Sequence, residues 1–254
     1  MRKFLILGSI VLSMAATATV TQAENIQTIT AKHVETVKMD GKLGDPAWEK
    51  TKAYPLVLPP AAYTSQPESI KKTIGDKLHD GGTVKLLWDD KYLYIGVTMA
   101  DQDVVAEGKE NQTHLYLMGD IIEVFLKSRH ETYYWETYGT PNELKTCFFF
   151  PGRGRLFVPS SADHPNDGIK VKAVVNGTLN NWKDRDNGWS VEIAIPIKML
   201  TQFGAKFDNQ AEWTILVARQ NYSRYLPLKE LSCYPTLSAV NFHLYEDYAR
   251  LVLE

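Results

Sequence analysis

The side chains best suited to chemistry are three carboxylates, Asp120, Glu123 and Glu136, which lie close together in the chain. Two carboxyl groups flanking a glycosidic bond can hydrolyse it as acid and base. A single one can hold a polar ligand through charge-assisted hydrogen bonds. Asp120 and Glu123 belong to Asp120-Ile-Ile-Glu-Val-Phe-Leu126, a run of β-branched and aromatic residues behind Gly119 that reads as a buried strand. Side chains alternate across a strand, so these two carboxylates point to opposite faces and do not make a catalytic pair. Glu123 shares its face with Ile121 and Phe125, while Ile122, Val124 and Leu126 make the other. A carboxylate in such surroundings needs partners. Either an arginine or tyrosine inside the fold supplies them, Arg219 being one such arginine, or Glu123 faces a pocket and binds a polar ligand.

The other reactive groups point less sharply. Asp101 and Asp103 are either part of a solvated turn or oxygen ligands for calcium, although no EF-hand pattern follows them. Cys147 and Cys233 are the two cysteines. Both fall in expected strands, and in an oxidising compartment they are expected to approach and bridge; two buried thiols are the alternative. There is no Gly-rich phosphate loop, no G-x-S-x-G elbow and no H-E-x-x-H. The chain is therefore read as non-catalytic, with a glycosidase or lyase as the enzymatic alternative.

The elements that must position these groups are almost all strands. The clearest hairpin is Thr83–Trp88, turning at Asp89-Asp90-Lys91 into Tyr92–Thr98. Further strands are expected over 24–38, 120–126, 132–138, 144–150, 169–175, 188–195, 213–220, 231–234 and 248–253. Asp45-Pro46 reads as the cap and first residue of a short helix ended by Tyr54-Pro55, with Trp48 plugging one end of the core. A second short helix follows Pro196. Residues 59–82 form a long irregular connection bordering a site, and 151–168 a loop. The expectation is an all-β chain: an antiparallel β-sandwich of about ten strands with one or two short helices.

The first 23 residues read as a signal peptide: Arg2 and Lys3, then the apolar run Phe4–Met14, then small residues up to Thr21-Gln22-Ala23. That run is too short to span a membrane. Residues 24–254 are thus expected to be one periplasmic or secreted domain, with no membrane span once the leader is cleaved. Without Arg2 and Lys3 the net charge of −2 becomes −4, and no basic stripe is present, so nucleic acid is not an expected partner.

Five stretches resemble, in order, the family 9 carbohydrate-binding modules. They are Met39-Asp-Gly-Lys-Leu-Gly-Asp-Pro-Ala-Trp48, Val84-Lys-Leu-Leu-Trp-Asp-Asp-Lys-Tyr-Leu-Tyr94, Gly119-Asp-Ile-Ile-Glu-Val-Phe125, Gly188-Trp-Ser-Val-Glu-Ile-Ala-Ile-Pro196 and Asn241-Phe-His-Leu-Tyr-Glu-Asp-Tyr248. The resemblance implies a non-catalytic sandwich that binds the end of a sugar or polysaccharide between two aromatic rings, with polar side chains on its hydroxyls. No cofactor is required; structural calcium is implied. Carbohydrate is the implied ligand, and secreted glycan-degrading enzymes are implied partners. The expected binding set is Tyr116, Glu123, Trp135, Glu136, Asn241, Phe242 and His243. The ring position before the central strand aligns with Leu117, so Tyr116 must take its place, and Glu136 falls near a position where some members carry a basic residue. Similar sandwiches also serve as haem domains in electron transfer, for which Met118, His114 and His243 are the candidate axial ligands. A structural or protein-binding sandwich is the remaining alternative.

Overall fold

The computed structural model describes residues 26–59, 71, 77–154 and 168–254. The expected leader lies outside these residues, as do 60–70, 72–76 and 155–167 of the two irregular stretches. Twelve strands are described: β1 (Thr28–His33), β2 (Tyr54–Pro55), β3 (Gly82–Trp88), β4 (Tyr92–Met99), β5 (Ile121–Ser128), β6 (Tyr134–Gly139), β7 (Cys147–Phe150), β8 (Lys170–Asn176), β9 (Gly188–Pro196), β10 (Trp213–Asn221), β11 (Glu230–Tyr234) and β12 (Ala249–Leu253). They form one curled sheet in the order β7-β6-β5-β10-β12-β1-β3-β4-β9-β8, with β11 beside β10 and β2 beside β3. The curl brings its two halves face to face. Where β6 ends, a Cβ on Gly139 would stand 2.7 Å from Ile193 of β9, so the halves touch there. This is the sandwich-like all-β fold that the alternating patterns predict.

Most pairings are antiparallel, but β1 runs parallel to both β12 and β3. Its neighbours are reached by long connections, and only those permit parallel pairing. Pro55 ends the expected helix and also lies in β2, which pairs with β3 alone; proline is tolerated at such an edge. Asp45 caps the short Pro46–Lys50 helix as expected, accepting from the Ala47 N–H. The second expected helix is the single turn Ile197–Leu200. No helix among the described residues is long and apolar enough to cross a membrane.

Alternation sorts the side chains into layers. Ile122, Val124, Leu126, Trp135, Cys147, Phe149, Ile215 and Val217 point inward and meet Ile29, Leu86, Ile95, Val191 and Ile193 of the facing half. Ile121, Phe125, Tyr134, Tyr138, Phe148, Phe150, Leu216 and Ala218 form a second, aromatic cluster on the outer face of β5, β6, β7 and β10. On the other outer face Trp48 packs against Val34, Val37, Leu87 and Tyr94.

The expected disulfide does not form, and both cysteines are free. Cys147 on β7 faces the inner core, whereas Cys233 on β11 belongs to the outer cluster. Strands β6, β5 and β10 separate β7 from β11. At strand spacing that is roughly 19 Å, about three times what a disulfide can span. Burial pushes both thiols up to about 12.

Candidate functional site

A cleft of about 310 Å³ opens on the outer face of β5, β6, β7 and β10, at the lower end of the volumes usual for small-molecule sites. Its floor carries Glu123 and Phe125 of β5, Glu136 and Tyr138 of β6, Phe148 of β7 and Gln220 of β10. His114 and Tyr116 form one wall, and Val240 to His243 the other. Register explains the floor. Glu123 lies between Tyr138 and Ala218, and Glu136 between Phe125 and Phe148. The two carboxylates are therefore diagonal neighbours on one face, with roughly 7–8 Å between their Cα atoms.

The wall carrying Tyr116 hangs on Gly119. That residue has φ +133°, and a Cβ there would meet the Val105 carbonyl oxygen at 2.3 Å. Only glycine fits such a position. Asp120 fastens the same corner, accepting from the Val105 and Tyr222 N–H groups at 2.7 Å each. It is thus a structural clip on the face away from Glu123, as their spacing predicts. In the opposite wall His243 Nδ1 stands 2.9 Å from the Tyr134 hydroxyl. Burial, aided by the Arg153 charge, holds this imidazole below its usual range and so keeps it neutral.

Comparison with other buried carboxylates separates the two readings of Glu123. Glu192 on β9 is fully satisfied by protein, accepting from the Asp40 and Gly41 N–H groups and the Trp48 indole at 2.7, 2.6 and 2.7 Å. Glu230 likewise takes the His79 and Asp80 N–H groups. Glu123 receives only the Gln220 amide, at 2.5 Å on Oε1, and Glu136 only the Tyr138 hydroxyl on Oε1. Among the described residues each has a second oxygen without a hydrogen-bond donor, on side chains that line the cleft. Arg219 is not the partner of Glu123. It sits one residue from Gln220 and so faces inward, where it meets Asp101 at 2.8 Å.

Glu123 and Glu136 are 2 % and 4 % exposed. Burial, and then the Glu136 charge, pushes Glu123 well above the ordinary carboxylate range, and burial pushes Glu136 up to about 7. A raised folded-state pKa means that the folded chain keeps protons the unfolded chain has released. Stability from these protons is complete below about 4.5 and is lost as the pH rises towards 7. The melting temperature is therefore expected to fall between about pH 5 and 8 in a thermal-denaturation series. Asp120, Glu192 and Glu230 shift the same way through burial, so Glu123→Gln with Glu136→Gln should flatten only part of the slope. An unchanged slope in that double variant would remove the pair from the pH response.

Of the expected binding set, the cleft brings together Tyr116, Glu123, Glu136, Asn241, Phe242 and His243. Trp135 is not among them: its odd-even position on β6 sends it into the inner core, beside Phe149. Leu117 projects into solvent, 63 % exposed, and does not line the cleft, and Met118 is also outside it. Phe125, Tyr138, Phe148, Gln220, His114 and Val240 line the cleft outside that expected set; same-face alternation with Glu123 and Glu136 is the sequence signal for the first two. Asp101 and Asp103 do not fit a calcium site. Asp101 serves Arg219 and the Asp103 N–H, Asp103 serves the Arg224 N–H, and no group of three or more metal-ligating side chains gathers among the described residues.

Residues 39–215 match the family model described as carbohydrate family 9 binding domain-like. Three solved structures share the fold. A protein from Bacteroides uniformis described as carbohydrate-binding superposes with a TM-score of 0.62 at 10% identity, covering 90% of this chain and 100% of the other. A family 9 carbohydrate-binding module from Caldicellulosiruptor kristjanssonii in complex with cellotriose gives 0.58 at 14% identity, covering 90% and 94%. A module of that family from the same organism, in complex with glucose, gives 0.56 at 14%, covering 90% and 96%. No curated protein sequence matches the chain.

Proposed function

Because the chain belongs to the carbohydrate family 9 binding domain-like family, we propose that it is an exported, non-catalytic protein that binds the end of a glycan in the cleft of β5, β6, β7 and β10. Tyr116 and Phe242 supply apolar ring surface from the two walls, and Glu123, Glu136, Gln220 and Asn241 supply polar contacts. Rings favour the C–H faces of a sugar, and charged acceptors favour its hydroxyls. The observation that carries the reading is the spare oxygen on each cleft carboxylate, beside buried glutamates elsewhere whose partners are all protein. No group in the cleft needs a metal for this task. The sugar complexes of the Caldicellulosiruptor modules and the carbohydrate-binding description of the Bacteroides protein support the same ligand class.

Glu123 and Glu136 are read as groups that hold rather than cleave because the matched family is one of binding domains. Export is inferred from the leader, and secreted glycan-degrading enzymes are the partners such a protein would assist.

Glu123→Gln tests the reading. The substitution keeps the shape but removes one acceptor and the ability to ionise when a ligand binds. Charge-assisted hydrogen bonds contribute about 1.5–3 kcal/mol, so sugar affinity should fall roughly tenfold or more in isothermal titration. The melting temperature should hold or rise, because a buried ionisable group has been replaced by a neutral one. A large drop in melting temperature with affinity intact in the folded fraction would return Glu123 to a structural role.

A further inference from the structure

The cleft is acidic and ringed by aromatics, and no lysine or arginine lines it. The Lys229 ammonium donates to the Gln220 amide oxygen at 2.8 Å and its charge is felt by Glu123, but it does not line the cleft. His243 is held neutral. A neutral sugar can donate hydroxyl hydrogens to the two spare carboxyl oxygens, but it does nothing to favour ionisation of a pair that burial and mutual repulsion keep largely protonated. A cation placed between the two carboxyl groups favours their ionised forms and makes charge-assisted hydrogen bonds to both spare oxygens. The same cation gains from aromatic faces, and Tyr116, Tyr138, Phe148 and Phe242 surround the position. The volume suits a ring-sized group, and the amide of Gln220 and the side chain of Asn241 offer the neutral hydrogen bonds that its hydroxyls would use.

From this combination, which rests on the sugar-binding reading above, we infer that the sugar bound here carries a protonated free amino group: the cleft takes an unacetylated hexosamine at a glycan end. The ammonium lies between the second oxygens of Glu123 and Glu136, and the pyranose ring lies against Tyr116 and Phe242. N-acetylation would remove the charge and add a group that the two carboxylates cannot serve, since an amide offers one hydrogen where the ammonium offers three.

Isothermal titration of the full chain near pH 7 separates the possibilities, using glucosamine and its β-1,4-linked dimer beside glucose, cellobiose and N-acetylglucosamine. Glucosamine should bind at least tenfold more tightly than glucose and N-acetylglucosamine, and the ratio should collapse towards one in Glu136→Gln. If that variant does not fold, Glu123→Gln serves in its place, judged by the same ratio. Neutral sugars binding as well as glucosamine would overturn the amino-sugar inference and leave sugar binding standing. A preference for glucosamine that survives both substitutions would also overturn it, since the carboxylates would not be its source. Folded protein that binds none of the five would overturn both readings.

Discussion

Phe242→Ala is expected to weaken sugar binding about thirtyfold. A central aromatic anchor is worth about 2 kcal/mol or more when truncated, and each 1.4 kcal/mol is a factor of ten. Phe242 lines one wall of the cleft and leans on Phe125, ring centres 6.3 Å apart. Its tie to the neighbouring chain is its backbone carbonyl, which accepts from the Tyr248 hydroxyl and survives the substitution. The melting temperature should therefore change little beside the affinity. Tyr116→Ala should act similarly from the opposite wall, where the Tyr116 backbone carbonyl accepts from the Tyr222 hydroxyl and survives the substitution, while its ring meets His114 and Tyr138 edge-on. Leu117→Ala is the contrast, because Leu117 stands in solvent outside the cleft. Titration with the sugar that binds best measures all three. If Leu117→Ala weakened binding while the two ring variants did not, the binding surface would lie elsewhere.

Arg219→Met should be the most damaging single change to the fold. The guanidinium is fully buried, donates to the Asp80 carbonyl at 2.9 Å and pairs with Asp101 at 2.8 Å. Removing it leaves Asp101 buried without its cation, a loss of about 3–5 kcal/mol. For a chain of this size that corresponds to a melting temperature lower by roughly 6–20 °C. Replacing Asp101 with Leu in the same chain should restore much of the loss, because an apolar pair of similar volume is often neutral. A single variant that melts like the parent would show that water reaches Asp101.

The strands were legible because alternation and turn residues agree locally. Thr83–Thr98 reads as a hairpin around Asp89-Asp90-Lys91, and the register runs from Gly82 opposite Met99 to Trp88 opposite Leu93. Asp45-Pro46 announces its helix through the cap alone. What the sequence does not carry is register between strands distant in the chain. That Glu123 and Glu136 share a cleft depends on β5 pairing with β6 at Glu123 opposite Tyr138, and Gln220 joins them only through the β5–β10 register. The parallel placement of β1 has the same origin. Residue type alone points Trp135 to the cleft and the two cysteines to a bridge, but face decides: Trp135 differs from Glu136 by one position and so stands on the other side of the sheet.

Strand β5 is buried along its whole length, yet its two faces answer to different demands. Residues 122, 124 and 126 are held by the facing half of the sandwich, while 121, 123 and 125 meet only the outer layer and the cleft. Even and odd positions are therefore nearly independent variables for change. A combinatorial library drawn over 123, 125, 136, 138, 148 and 220 would vary the recognition surface without touching an inward side chain. Within that set Glu123 with Gln220 and Glu136 with Tyr138 are hydrogen-bonded pairs, so each pair must be varied jointly. Diversity in ligand choice can accordingly accumulate in this sheet one face at a time, with the scaffold beneath it unaltered.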